Sequence, residues 1–233
     1  MLLSDPAMRW NRRDVLIMLG AAVGFAWLYV AWDLLYDALL GPLGLPLAAT
    51  SLINGVWFLA GFVGMALVRK PGACLFTEAL AALLEVLFAQ WFLGGYPIDV
   101  LGEAYTRVHA VTPMPLAHGT PLGQVLAGGE MRHVTEFAVF NMVAFVGLLE
   151  GLAPEAVFGF AQYREWRLTI WLSAGVAGAA IEWLTGIYVT QYYLYLGAAQ
   201  TLWTLPTSAL GIAALAGGAG FLLCSRQRAN TGT

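Results

Sequence analysis

The sequence predicts an all-α integral membrane domain of six transmembrane helices, and three observations predict it. The first is composition. Of 233 residues, 60% are hydrophobic and 11% charged, and the mean hydropathy is +0.73, more apolar character than a soluble domain of this size carries. The second is that apolar residues gather into six stretches long enough to cross a bilayer, at 15–36, 48–68, 73–92, 136–161, 168–189 and 199–224. The third is the placement of positive charge. Arg9, Arg12 and Arg13 precede the first stretch, Arg69 and Lys70 join the second to the third, Arg164 and Arg167 join the fourth to the fifth, and Arg226 and Arg228 follow the sixth. Only Arg107 and Arg132 fall on the other side, so the positive-inside rule puts both termini in the cytoplasm. We read residues 1–233 as one membrane domain.

The first stretch is too long for a signal-peptide core and is expected to stay as a span. Its first half holds two overlapping small-xxx-small pairs, Gly20 with Gly24 and Ala22 with Ala26, a pattern suited to close helix–helix contact. The second stretch carries Asn54 and Trp57, and the third Glu78 and Glu85, which share a face. The fourth carries Glu150, Glu155 and Pro154, the last expected to kink it. In the fifth, Ala174, Gly178, Glu182 and Gly186 recur every four residues, so small residues admit a neighbouring helix and Glu182 points between helices. Cys74 and Cys224 fall at ends assigned to the cytoplasm and read as free thiols.

Between the third and fourth stretches lies a long outer loop, about 94–135, with His109, His118 and His133. A loop of this length is usually functional or mobile. No two of the histidines share a helical face at ligand spacing, so they read as ordinary loop residues rather than a metal site. No nucleic-acid-binding motif is present, and no phosphate-binding G-x-x-x-x-G-K-[ST].

Counting inward from the basic anchors isolates a polar level. Glu85 is 15 residues beyond Lys70, Glu182 is 15 beyond Arg167, Glu150 is 14 before Arg164, and Asn54 is 15 before Arg69. As α-helix, all four lie ~21–23 Å from the anchors, in the outer half of the hydrocarbon core. Trp57, Trp183 and Tyr188 sit at the same level, and Tyr29, Trp32, Asp33, Trp91, Trp203, Thr207 and Ser208 at or above it. For Trp32, Trp91 and Trp203 the interfacial aromatic belt accounts for the position. Trp57, deeper and one turn from Asn54, reads as a pocket wall. A carboxylate in hydrocarbon is expensive, by roughly 2.5–3.5 kcal/mol on insertion scales, and is tolerated facing a cavity, a partner or a ligand. Glu182 alone is equally well read as glue between helices. Together, acids and aromatic walls suit a flat organic cation or amidine-like ligand. Glu78 and Glu155, nearer the basic end, read as capping or bridging groups.

Three stretches are similar to those of a known family: NGVWFLAGFVGMALVRKPGACLFTEALAALLEV at 54–86, GLLEGLAPEAVFGFAQYREW at 147–166, and YVAWDLLY at 29–36. They resemble the YkoE family, the S components of energy-coupling-factor (ECF) ABC transporters for thiamin or its hydroxymethylpyrimidine precursor. The WF-x-AG and RKPGA blocks are the most specific part. The resemblance implies an S-component-like fold and no enzymatic activity. It implies a vitamin bound in the outer half, and the polar level counted above supplies the candidate site residues, Glu85, Glu150, Glu182, Asn54 and Trp57 first, with Trp183 and Tyr188 next. It implies docking on a transmembrane coupling (T) subunit driven by two ATPase subunits that hydrolyse the ATP, with no cofactor in this chain. Members use Ala-x-x-x-Ala on the first helix for that docking, which Ala22 and Ala26 match literally, with Gly20 and Gly24 beside them. The chain departs from the pattern in its longer third loop, in Pro154, and in Glu150 where Gln is expected.

Other classes make different predictions. An intramembrane enzyme would use Glu182 or Glu150 as acid/base and the loop histidines as ligands, but no helix carries a paired His/Glu motif. A proton-coupled secondary transporter would be expected to show an inverted repeat, and none is evident. A scaffold would use the acids only to pack helices.

Overall fold

The computed structural model describes residues 6–35, 43, 47–93, 131–188 and 198–231, and all six predicted stretches are helical. Helix α1 spans Arg12–Leu35. After a helical turn at Leu47–Thr50, the second stretch runs as a 3-10 helix over Ser51–Phe58 and as α2 over Leu59–Val68. Then come α3 (Ala73–Leu93), α4 (Met131–Phe160) and α5 (Leu168–Tyr188). The sixth stretch comprises α6 (Ala198–Ile212), a π-helical turn at Ala213–Gly217, and α7 (Gly218–Thr231). Among the described residues, Arg12–Leu35, Ser51–Val68, Leu168–Thr185 and Leu202–Ala229 are each long and apolar enough to cross a membrane. The third and fourth stretches form helices of 21 and 30 residues. The fourth starts at Met131, five residues earlier than predicted, and runs through Pro154.

The helices pack in succession, α1 on α3, α3 on α4, α4 on α5, and α5 on α6. The second stretch fills the middle, against α1, α3, α6 and α7. That position explains its composition: Ala60, Gly61, Phe62, Gly64, Met65 and Ala66 are buried, and small residues alternate with large ones. Near the basic end the core is aromatic, with Phe62, Phe158 and Trp171 all fully buried. Phe158 and Trp171 meet edge to face, ring centres 4.8 Å apart, a preferred aromatic geometry. Elsewhere glycine sets the helix spacing. A Cβ on Gly211 would lie 2.1 Å from the Leu52 carbonyl oxygen, and one on Gly175 2.5 Å from the Ala213 Cα. These contacts join the 3-10 segment to α6 and α5 to the π turn.

The basic end is tied down by polar contacts. Asn11 and Asp14 form a reciprocal capping box: the Asn11 amide donates to Asp14 Oδ2 (2.8 Å) and the Asp14 amide to Asn11 Oδ1 (3.0 Å). Lys70 pairs with Asp14 at 2.6 Å and donates to the Arg9 carbonyl at 3.0 Å, while the Trp10 indole N–H donates to the Pro71 carbonyl at 2.8 Å. Gly72, at φ +83°, lies beneath the Trp10 ring, which a Cβ would approach to 2.9 Å.

Glu155 completes this end. Its carboxylate accepts from the amides of Gly72 (2.6 Å), Cys74 (2.9 Å) and Leu75 (3.3 Å) and from the Tyr163 hydroxyl (2.7 Å). It thus caps α3 from another helix, where a negative charge also meets the positive end of the helix dipole. Burial, then the bond to Glu155, holds the Tyr163 hydroxyl well above its ordinary pKa, so it stays a donor. The turn presenting it contains two left-handed non-glycine residues, Gln162 (φ 54°) and Tyr163 (φ 53°). Glu78 is the other bridging acid, described below. Both therefore take the structural roles read from the sequence. Cys74 and Cys224 are free and buried.

One expectation is corrected. Ala22 and Ala26 are both fully buried within the chain, and Ala22 packs with Tyr29, Ala60 and Ala81. Their close contact is intramolecular, because α1 turns that face to α2 and α3. Gly20 and Gly24 lie on the exposed face, where a Cβ would meet nothing within 4 Å.

Two stability predictions follow from this packing. Gly211→Ala should destabilise the fold by about 1–3 kcal/mol through overpacking, while Gly218→Ala, with nothing within 4 Å of the new Cβ, should leave the thermal midpoint in detergent unchanged. Glu155→Ala, which strips four donors of their acceptor, should cost about 3 kcal/mol or more by the same measurement.

Candidate functional site

The predicted polar level comes together around Asn54 and Glu182. The Asn54 amide nitrogen donates to Glu182 Oε1 and lies 3.4 Å from Ser208 Oγ. The Ser208 hydroxyl lies close enough to the Glu182 carboxylate to interact with it. Three elements thus converge: the 3-10 segment brings Asn54, α5 brings Glu182, and α6 brings Ser208. They meet because Gly178, one turn before Glu182, lets Phe58 close onto α5, and a Cβ there would lie 2.8 Å from the Phe58 ring. Ser208 is 2% exposed.

The second carboxylate oxygen is different. Glu182 Oε2 is buried and has no hydrogen-bond partner among the described residues. An unsatisfied buried acceptor costs about 1–3 kcal/mol, more if charged, so the pair is built with one acceptor left open.

Trp57, three residues from Asn54, is half-buried. Its indole N–H donates to Asp33 Oδ1 at 3.2 Å, and the Trp32 ring meets it edge on, with centres 6.3 Å apart. Trp32 Nε1 is also buried without a hydrogen-bond partner among the described residues. Trp91 and Trp203 are 75% and 66% exposed, in keeping with the aromatic belt; Trp32 instead faces Trp57. Asp33 is thus a wall residue through Trp57, a pairing that helical spacing alone does not reveal because the partners are on different helices.

The remaining acids are arranged less tightly. Glu150 makes no hydrogen bond among the described residues and lies within electrostatic reach of Glu78 and Glu182. Glu85 is 4% exposed on α3 and within electrostatic reach of Tyr29. Trp183 is half-buried beside Glu182. Tyr188 closes α5, and its side chain lies outside the described residues, as do the loop at 94–130 with His109 and His118 and the side chain of His133. Among the described residues, no group of three or more His, Cys, Asp or Glu side chains is placed to hold a metal ion.

The depth count needs one correction. It assumed α-helix throughout, but residues 51–58 are 3-10, which rises about 0.5 Å more per residue. Asn54 therefore stands roughly 2 Å further from Arg69 than counted.

The fold and this site can be set beside known proteins. A solved structure titled as an S component of an ECF transporter superposes on 96% of this chain and 88% of its own, with a TM-score of 0.66 at 23% identity. The family model for the permease component of ABC-type cobalt transport systems matches residues 13–95. YkoE of Bacillus subtilis (strain 168), named as an HMP/thiamine permease protein, is 24% identical over 186 residues, covering 80% of this chain and 69% of its own. The fold is thus that of an ECF S component, in a multi-pass membrane protein. The resemblance to the YkoE family carried by residues 29–36, 54–86 and 147–166 is borne out by these comparisons.

If the open acceptor is retained for a ligand, stability and site should trade against each other. Glu182→Gln is expected to leave the thermal midpoint in detergent equal or higher. Asn54→Asp, which sets two carboxylates together, is expected to destabilise by about 3 kcal/mol or more.

Proposed function

We propose that this chain is the substrate-capturing S component of an ECF-type ABC importer, and that it binds thiamin or its hydroxymethylpyrimidine precursor. The observation that carries the reading is the buried Oε2 of Glu182 beside Asn54, which has no partner among the described residues. An aminopyrimidine offers an amino donor to a carboxylate and a ring nitrogen and further donors to an amide, and its flat face stacks on an indole such as Trp57. Thiamin adds a thiazolium cation, which Glu150 and Glu85 would meet with opposite charge. The name of the Bacillus relative supports the same substrate class. Both termini would be cytoplasmic, in a prokaryotic plasma membrane, so that the site opens outward.

The chain would act with a T subunit and two ATPase subunits, which supply the ATP hydrolysis. The exposed Gly20–Gly24 face of α1, rather than the buried Ala22–Ala26 face, would meet the T subunit.

The test is a titration of purified protein with thiamin, hydroxymethylpyrimidine and riboflavin, followed by intrinsic tryptophan fluorescence. Saturable quenching by a pyrimidine but not by riboflavin is expected. Glu182→Gln and Glu85→Gln should weaken it about 10- to 100-fold, as for loss of a charge-assisted contact. No response to any pyrimidine would refute the substrate assignment.

A further inference from the structure

The second stretch changes helix type in its middle, at the junction of Phe58 and Leu59. The change needs an explanation, because the apolar interior offers no water to a freed amide. The Leu59 N–H closes the 3-10 segment on the Val56 carbonyl. The next two amides are in the first turn of α2, and both have acceptors on other helices. The Ala60 N–H donates to the Tyr29 hydroxyl at 2.9 Å, and the Gly61 N–H to Glu78 Oε2 at 2.7 Å. Tyr29 in turn donates to Glu78, 3.1 Å from Oε1. Tyr29 is 1% exposed and Glu78 1%. Gly61 has no room for a side chain, since a Cβ would lie 2.9 Å from Cys74 Sγ and 3.1 Å from Glu78 Oε2.

We infer that Tyr29 and Glu78 are positioning residues of the ligand site: by accepting the Ala60 and Gly61 amides they hold residues 51–58 in the 3-10 form that presents Asn54 to Glu182 and Trp57 to Asp33. The inference rests on the functional reading above and goes beyond it, because neither residue touches the Asn54–Glu182 pair. The geometry makes the effect large. In a continuous α-helix the Ala60 and Gly61 amides would take the carbonyls of Val56 and Trp57. Counted back five residues from Leu59, the α form would turn Asn54 by roughly 100° about the axis and shift it by roughly 2.5 Å along it. Either displacement removes it from Glu182.

The test is a double-mutant cycle with thiamin as probe, together with hydrogen exchange on the ligand-free protein. Tyr29→Phe keeps the buried ring and deletes only the hydroxyl. It should weaken thiamin binding about tenfold and alter amide protection over 51–61 while leaving 62–68 as in the parent. Glu78→Gln keeps an acceptor for the Gly61 amide and should bind within about threefold of the parent, whereas Glu78→Leu should not. In the Asn54→Ala background, Tyr29→Phe should cause a clearly smaller loss, because part of its effect passes through Asn54 and only the part through Trp57 remains; a merely structural role would cost the same in both backgrounds. Unchanged thiamin affinity in Tyr29→Phe, or an equal loss in both backgrounds, overturns the inference. If the parent protein does not bind thiamin, the substrate assignment fails separately. Exchange then decides: unchanged protection over 51–61 in Tyr29→Phe overturns the positioning role, and a change confined to that segment supports it.

Discussion

Inside a bilayer, an amide that leaves the α-helical ladder must find an acceptor within the protein. Much of this structure depends on how that constraint is met at Ala60 and Gly61. Tyr29 from α1 and Glu78 from α3 supply the acceptors, and the second stretch can then run as 3-10 for eight residues. A 3-10 run of that length is uncommon, because its hydrogen-bond geometry is poorer than that of an α-helix. Here it lies in the middle of the bundle, where α1, α6 and the π turn pack against it. The WF-x-AG block that carries the family resemblance is this junction, Trp57 to Gly61.

The two ends of the molecule use polar groups in opposite ways. At the basic end, polar contacts are closed. Glu155 takes four donors, Asp14 is bonded to Asn11 and Lys70, and the Trp10 indole is bonded to Pro71. The RKPGA block forms this turn. Charge-assisted bonds of that kind are strong when desolvated, and they fix where α1, α3 and α4 begin or end. At the other end, Asn54, Ser208 and Glu182 form a network with an acceptor left over. Contacts closed at one end hold the helices in place, and among the described residues an open acceptor stands at the other.

Much of this was legible in the sequence, for definite reasons. Six apolar stretches are visible because a span needs about 20 apolar residues and a charge inside one is costly. Asn54 and Glu182 could be paired by counting from the arginines, since the helical rise is nearly constant and the basic residues mark a common plane. Glu155 and Glu78 could be read as structural from their depth. The helix type of residues 51–58 was not legible, because the cause lies in Tyr29 and Glu78 on other helices and leaves no mark on local periodicity. The facing of α1 was hidden for a related reason. Gly20–Gly24 and Ala22–Ala26 are equivalent as small-residue pairs, and only the packing of Tyr29 with Ala60 and Ala81 decides which pair turns inward. Asp33 was visible at the outer end of its span, but its bond to Trp57 joins two helices whose rotation the sequence does not specify.

The membrane-embedded polar groups also sort themselves by satisfaction, and that sorting bears on function more than their number does. Tyr29 and Glu78 share bonds with each other and with backbone. Thr77 is satisfied within its own helix by the Ala73 carbonyl at 2.7 Å. Among the described residues, the unsatisfied buried atoms are Glu182 Oε2, Trp32 Nε1 and Trp171 Nε1. Trp171 is packed among Phe62, Phe158 and Trp166, where the ring's apolar burial outweighs one lost indole bond. Glu182 has no such compensation. Carboxylates that serve only to join helices are expected to be satisfied on both oxygens, as those of Glu78 and Glu155 are. The helix-glue reading of Glu182 therefore explains Oε1, which meets Asn54, and leaves Oε2 without a reason. A ligand that brings its own donor accounts for both oxygens.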